Sequence, residues 1–65
     1  MARLNKKMLR QLISDRYHSQ KEFCNAFEIS LPGLQRWLKT DEIRDVNLDK
    51  LAEFFKVETR ILNLN

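Results

Sequence analysis

The stretch that most constrains this chain is Ser19 to Lys39, SQKEFCNAFEISLPGLQRWLK, because it holds two helix starts with room for only a tight turn between them. Ser19 is a favourable N-cap, and Glu22, three residues on, is placed to reach back to the Ser19 backbone N–H as a capping box. Phe23, Ala26 and Phe27 then recur at spacings of three and four, while Lys21, Glu22, Asn25 and Glu28 fall largely elsewhere, which predicts a short amphipathic helix. Glu28 and Ser30 bracket Ile29, and Ser30 is a second N-cap that restarts the chain as a new helix. Pro32 falls in the first turn of that helix, where its missing N–H costs nothing. The spacing is that of a helix-turn-helix.

On the second helix, Trp37 lies about 60° to one side of Leu34 and Leu38 about 40° to the other, at about 100° per residue. These three form an inward stripe. Pro32, Arg36 and Lys39 fall within about 40° of the opposite pole, and Gln35 and Gly33 lie on the flanks. A face carrying a guanidinium, an ammonium, an amide and two unobstructive residues suits the major groove of duplex DNA. The groove admits one α-helix, Arg pairs with guanine O6 and N7, and Gln pairs with adenine N6 and N7. The competing reading of Gln35 and Arg36 is an ordinary solvated helix face.

The segment resembles the helix-turn-helix of the Cro/CI repressor family of phages and related bacterial regulators, and the resemblance extends over nearly the whole chain. It rests on Gln20 after the cap, Phe23 and Phe27 at core positions, and Cys24 where that family usually has Ala. It continues through Ile29-Ser30 at the turn, Leu34 and Trp37 in the second helix of the pair, and NLDKLAEFFKVETRIL as the fourth and fifth helices. The resemblance implies a lambda-repressor-like all-α bundle of about five short helices. It also implies base contacts from Leu31, Pro32, Gln35 and Arg36, and phosphate contacts from Gln20, Lys39 and Arg44, with Ser19 beside them at the helix start. The chain departs from the family at three places. Glu28 stands where members commonly have Gly in a left-handed turn, at a strain of about 1 kcal/mol. Leu31 and Pro32 replace polar base readers, leaving only contact with a thymine methyl or close packing there. Ile13 and Leu38 occupy positions that in several phage repressors hold an Arg-Glu pair, so an apolar contact takes over that junction.

A chain of 65 residues is expected to form a single small domain, residues 1–65, with one helical core. No stretch approaches the roughly 18 apolar residues of a membrane span, and no basic-then-apolar leader suggests secretion. The expected location is therefore cytoplasmic, in a bacterial cell and near its nucleic acid. Cys24, the only cysteine, has no disulfide partner and reads as a small buried packing residue; no Cys or His cluster has metal spacing. One Cys and one His without a positioned third group make no nucleophilic site, and no glycine loop cradles phosphate. The expectation is a non-enzyme without a cofactor.

Elsewhere the chain reads as helix throughout. Met8, Leu9, Leu12 and Ile13 give the segment Asn5 to Arg16 one apolar face, and Asn47 is a candidate cap for a helix over 48–56 whose Leu48, Leu51, Ala52 and Phe55 point inward. His18 is placed to pack on Phe23 as a hydrophobic staple. Thr40 to Val46 is the one extended connection, and no β-alternating run appears.

Charge is uneven. Residues 1–39 hold eight Lys or Arg against three acids, and 40–65 hold four against six. A basic front with Arg3, Lys6, Lys7, Arg10, Lys21, Arg36 and Lys39 would steer the chain to phosphates. The expected function is a sequence-specific double-stranded DNA-binding regulator, a Cro-like repressor that occludes its operator. A homodimer on DNA is expected through the C-terminal helix, with Leu62 and Leu64 as anchors. Two other readings stay open: a DNA-binding antitoxin or similar interaction module whose main ligand is a partner protein, which a free apolar groove would favour, and a bundle with structural duties alone.

Overall fold

Three helices begin by the same local chemistry. In the computed structural model, which describes residues 1–64, the Asn5 side chain accepts from the Met8 N–H at 3.2 Å. Ser19 Oγ accepts from the Glu22 N–H and Ser30 Oγ from the Gly33 N–H, each at 3.1 Å. These caps start α1 (Lys6–Arg16), α2 (Gln20–Phe27) and α3 (Leu31–Thr40). Only the Ser19 half of the expected capping box forms. Glu22 remains exposed without a return bond, although its charge still favours the helix N-terminus. A three-residue turn, Glu28 to Ser30, joins α2 to α3. Gly33 lets that turn close tightly, since a Cβ there would stand 3.0 Å from Ser30 Oγ and 3.3 Å from Ile29 Cγ1.

The chain continues through α4 (Asp45–Phe55) and α5 (Thr59–Leu62), completing a small bundle of five helices. The cap of α4 is Arg44 rather than Asn47. Extended backbone at Arg44 lets its carbonyl accept from the Leu48 N–H at 2.9 Å, which places Asn47 inside the first turn. Glu28, Asp41 and Lys56 end α2, α3 and α4 in the left-handed region, with φ of 61°, 65° and 58°. The strain expected at Glu28 is thus present, and two further helix ends share it. None of the three is Gly.

Packing centres on Phe23. Its ring is stacked between Phe27 and Phe55, with centroids 5.5 Å away on each side, and meets Phe54 and Tyr17 edge-on at 5.9 and 5.8 Å. Tyr17 takes the stapling position expected of His18, which is exposed. The bend before Ser19 turns the earlier residue inward. Ala26 is also exposed and Cys24 is buried. The buried face of α2 is therefore centred on the side of Phe23 that includes Cys24 and Phe27, away from Ala26. On α4, Leu48, Leu51, Ala52 and Phe55 are all buried, and Ile13 and Leu38 meet in the same core.

The N-terminal residues are not helical connection but strand. β1 (Ala2–Arg3) pairs antiparallel with β2 (Glu42–Ile43), Ala2 opposite Ile43 and Arg3 opposite Glu42. β2 occupies part of the connection expected to be irregular. On the other side of β1, the Asn5 N–H donates to the Leu62 carbonyl at 2.7 Å and the Leu64 N–H to the Arg3 carbonyl at 2.8 Å. Ala2 and Leu4 point inward while Arg3 points out, an alternation too short to register as a pattern. Leu62 is fully buried here, so it belongs to the core and not to a docking surface. Leu64, 55% exposed, remains on the outside.

Replacing Phe23 by Ala is expected to destabilise the chain by about 3–5 kcal/mol in denaturant unfolding, since the ring is enclosed on every side. Leu62→Ala is expected to cost about 2–5 kcal/mol, and Leu64→Ala to stay within roughly 0.5 kcal/mol of the parent. Equal effects from the two leucines would contradict the placement of Leu62 in the core.

Candidate nucleic-acid interface

Leu34 and Leu38 are buried and Trp37 is half-buried, which turns the opposite side of α3 to solvent. That side carries Pro32, Gln35, Arg36 and Lys39, all exposed. The side chains of Gln35, Arg36 and Lys39 make no hydrogen bond or ion pair among the described residues. Leu31 differs from its neighbours, being half-buried and packed against the core with only part of its surface outside. The α3 face is thus a row of one apolar ring and three uncommitted polar groups on a helix held at both ends. At the N-terminal end the Ser30 cap fixes it. At the C-terminal end the Lys6 ammonium donates to the Leu38 carbonyl at 3.2 Å and lies 3.1 Å from Asp41 Oδ1, where a cation also complements the helix dipole.

The start of α2 supplies a second element. Ser19 is exposed, and its hydroxyl and carbonyl are occupied by the Glu22 and Phe23 N–H groups. Among the described residues the N–H groups of Gln20 and Lys21 have no intramolecular partner, a donor pair at a helix N-terminus that favours an anion. Gln20 is half-buried, and Lys21, the second residue of α2, is exposed. Lys21 had no place among the expected phosphate contacts. Its signal was its position at the second helical residue after a Ser cap. Arg44, exposed at the start of α4, makes no side-chain bond among the described residues.

The basic front is smaller than the sequence implies. Arg3 and Lys6 both turn to Asp41, at 3.7 and 3.1 Å. Lys7, Arg10, Lys21, Arg36 and Lys39 keep exposed charges without such partners. On another side, Arg16 donates to the Phe55 carbonyl at 3.0 Å and lies over the Phe55 ring, 5.3 Å from its centroid. That guanidinium is structural.

Other chemistry finds little purchase. Burial pushes the Cys24 thiol up, away from the thiolate that a nucleophile requires. Among the described residues no group of three His, Cys, Asp or Glu side chains stands together as a metal site, and no helix is long and apolar enough to cross a membrane. A surface groove of about 840 Å³ lies between the end of α2, α3 and α4, lined by Phe27, Ile29, Trp37 and Phe54 together with charged residues such as Lys50 and Glu53. Sequence periodicity assigned Phe27 and Trp37 to the interior, and each is half inside and half in this groove. No family model, curated protein or solved structure matches the chain.

Because the side chains of Gln35 and Arg36 are exposed and make no hydrogen bond or ion pair among the described residues, Gln35→Ala and Arg36→Ala are expected to leave thermal stability within roughly 0.5 kcal/mol of the parent. Ser30→Ala, which removes the cap that orients them, is expected to cost about 1 kcal/mol. Matched unfolding curves would reverse this account if Arg36→Ala proved the more damaging.

Proposed function

We propose that this protein is a sequence-specific double-stranded DNA-binding transcriptional regulator, a repressor of the Cro type that acts by occluding its operator. The observation that carries the reading is the outward face of α3, where Gln35, Arg36 and Lys39 are exposed and unengaged on a helix anchored at both ends. Groups in this state keep their full hydrogen-bonding capacity for a ligand. Arg36 is assigned to guanine O6 and N7, and Gln35 to adenine N6 and N7. Gln20 and Lys21 at the α2 N-terminus, with Lys39 and Arg44, are assigned to phosphates, which set the docking position without reading sequence. Ser19 holds those donors in place through its cap.

A regulator built on this unit would bind as a two-fold dimer, placing two copies of α3 in successive major grooves about 34 Å apart. Leu64, with its exposed side chain, is the remaining candidate for that contact. Such a protein would work in the cytoplasm of a bacterial cell, at the nucleoid. It would need neither cofactor nor enzymatic step, since occupancy of the site is the whole of the mechanism.

A second reading is favoured by the groove between α2, α3 and α4. Its half-exposed aromatic side chains, set among Glu28, Lys50, Glu53 and Lys56, offer a mixed apolar and charged surface to a partner protein, as in a DNA-binding antitoxin. The two readings separate in one experiment. The purified chain is mixed with a randomised duplex pool at two salt concentrations, and what remains bound at the higher one is sequenced. Recovery of a near-palindromic site with half-sites about one helical turn apart supports the regulator. Binding that vanishes with salt and enriches no sequence reduces the basic face to an electrostatic surface and makes a protein partner the leading idea.

On a recovered site, Arg36→Ala is expected to cost about 1–3 kcal/mol and to relax discrimination at one base pair. Lys39→Ala should weaken all sequences alike and lower the salt slope by about 1. An Arg36→Ala chain that keeps full discrimination would sink the assignment of that residue.

A further inference from the structure

Resting on the reading of α3 as the groove-entering helix, we propose that Pro32, with the exposed edge of Leu31, selects the C5 methyl group of a pyrimidine near the guanine engaged by Arg36. The methyl can come from thymine or from 5-methylcytosine. Binding is therefore responsive to cytosine methylation at that step.

The starts of α2 and α3 differ in the backbone donors they leave free. A helix N-terminus that holds phosphate does so with free backbone N–H groups. At α2, Gln20 and Lys21 both keep theirs. At α3, Pro32 has no N–H, the Gly33 N–H donates to Ser30 Oγ at 3.1 Å, and the Leu34 N–H donates to the Ser30 carbonyl at 3.1 Å. Only the Leu31 N–H remains. The tip of α3 is thus poor in anion-binding donors, and the surface it presents is carbon: the exposed Pro32 ring and part of Leu31.

A proline side chain can neither donate nor accept a hydrogen bond, so it reads no polar base edge. The one apolar feature that bases display in the major groove is the pyrimidine C5 methyl. Register follows from the helix. Pro32 and Arg36 are one turn apart on the outward face, about 6 Å along the axis at about 1.5 Å per residue. That spans roughly two base-pair steps of about 3.4 Å. The ring is also held in place, because the close approach of Gly33 to Ser30 and Ile29 permits the cap that fixes the first turn.

The test uses the tightest duplex recovered from the randomised pool. Each thymine is replaced in turn by deoxyuridine, which removes only the methyl, and each cytosine in turn by 5-methylcytosine. The expected result is one position, within about two base pairs of the guanine whose discrimination is lost in Arg36→Ala, where deoxyuridine in place of thymine weakens binding, or 5-methylcytosine in place of cytosine strengthens it, about four-fold, the effect of one methyl group. If that position holds thymine, cytosine there binds more weakly than 5-methylcytosine; if it holds cytosine, methylation strengthens binding by a similar factor. In Pro32→Ser, compared at equal folded fraction, the methyl-dependent difference disappears while discrimination by Arg36 persists. A duplex bound with full discrimination but indifferent both to methyl removal and to methyl addition at every position near that guanine overturns this inference and leaves the DNA reading standing. A methyl effect unchanged in Pro32→Ser also overturns it, by assigning the contact elsewhere. A chain that retains no duplex at the higher salt overturns the DNA reading and this inference together.

Discussion

Phe23 is the contact on which the rest of the arrangement depends. One ring from α2 is clamped between Phe27 of its own helix and Phe55 of α4, with Phe54 and Tyr17 closing the edges. Offset-stacked and edge-to-face pairs of this kind add to the area they bury, and four of them converge on one side chain. The consequence reaches α3 indirectly. Because α2 is held by its aromatic face, the three-residue turn that follows it has a fixed starting point, and α3 leaves that turn with Leu34 and Leu38 already directed at the core. The exposed row on α3 is the other side of that constraint.

A second constraint acts at the far end of α3. The N-terminal strand lies between β2 and the segment Leu62–Leu64, and Lys6, at the start of α1, reaches the carbonyl end of α3. Asp41, the left-handed cap, gathers both Lys6 and Arg3. Two cations that composition alone would add to an electrostatic surface are used instead to fix the helix. This division of labour matters for the proposed function, since long-range attraction to phosphate draws on net charge, whereas sequence reading needs a helix that does not move relative to its scaffold.

The three left-handed residues, none of them Gly, show where the fold accepts local cost. Each ends a helix at a place where the chain must turn sharply, and each costs about 1 kcal/mol relative to a residue without a Cβ. The only Gly is placed elsewhere, at Gly33, where crowding against Ser30 and Ile29 leaves no ordinary room for a side chain. The one residue without a Cβ is thus placed where close packing at the start of α3 needs it, and not at a left-handed helix end.

Much of this was legible along the chain. The Ser19 and Ser30 caps, the inward stripe of Leu34, Trp37 and Leu38, and the four buried positions of α4 all depend on neighbours within one or two helical turns, so spacing alone identifies them. So does the outward row of Pro32, Gln35, Arg36 and Lys39, which is the complement of that stripe. The positions that spacing misjudged are His18, whose place against Phe23 is taken by Tyr17, Ala26, which lies outside the core, Asn47, which yields the start of α4 to Arg44, and Leu62, which is enclosed in the core and bonded through its carbonyl to Asn5. By itself the sequence determined where α2 and α3 begin and which faces of α3 and α4 are apolar, because caps and periodicity act through local hydrogen bonds and helix geometry. Only the tertiary structure decided which half-apolar residues are enclosed and which cations stay free, because burial and ion pairing depend on groups brought together from opposite ends of the chain.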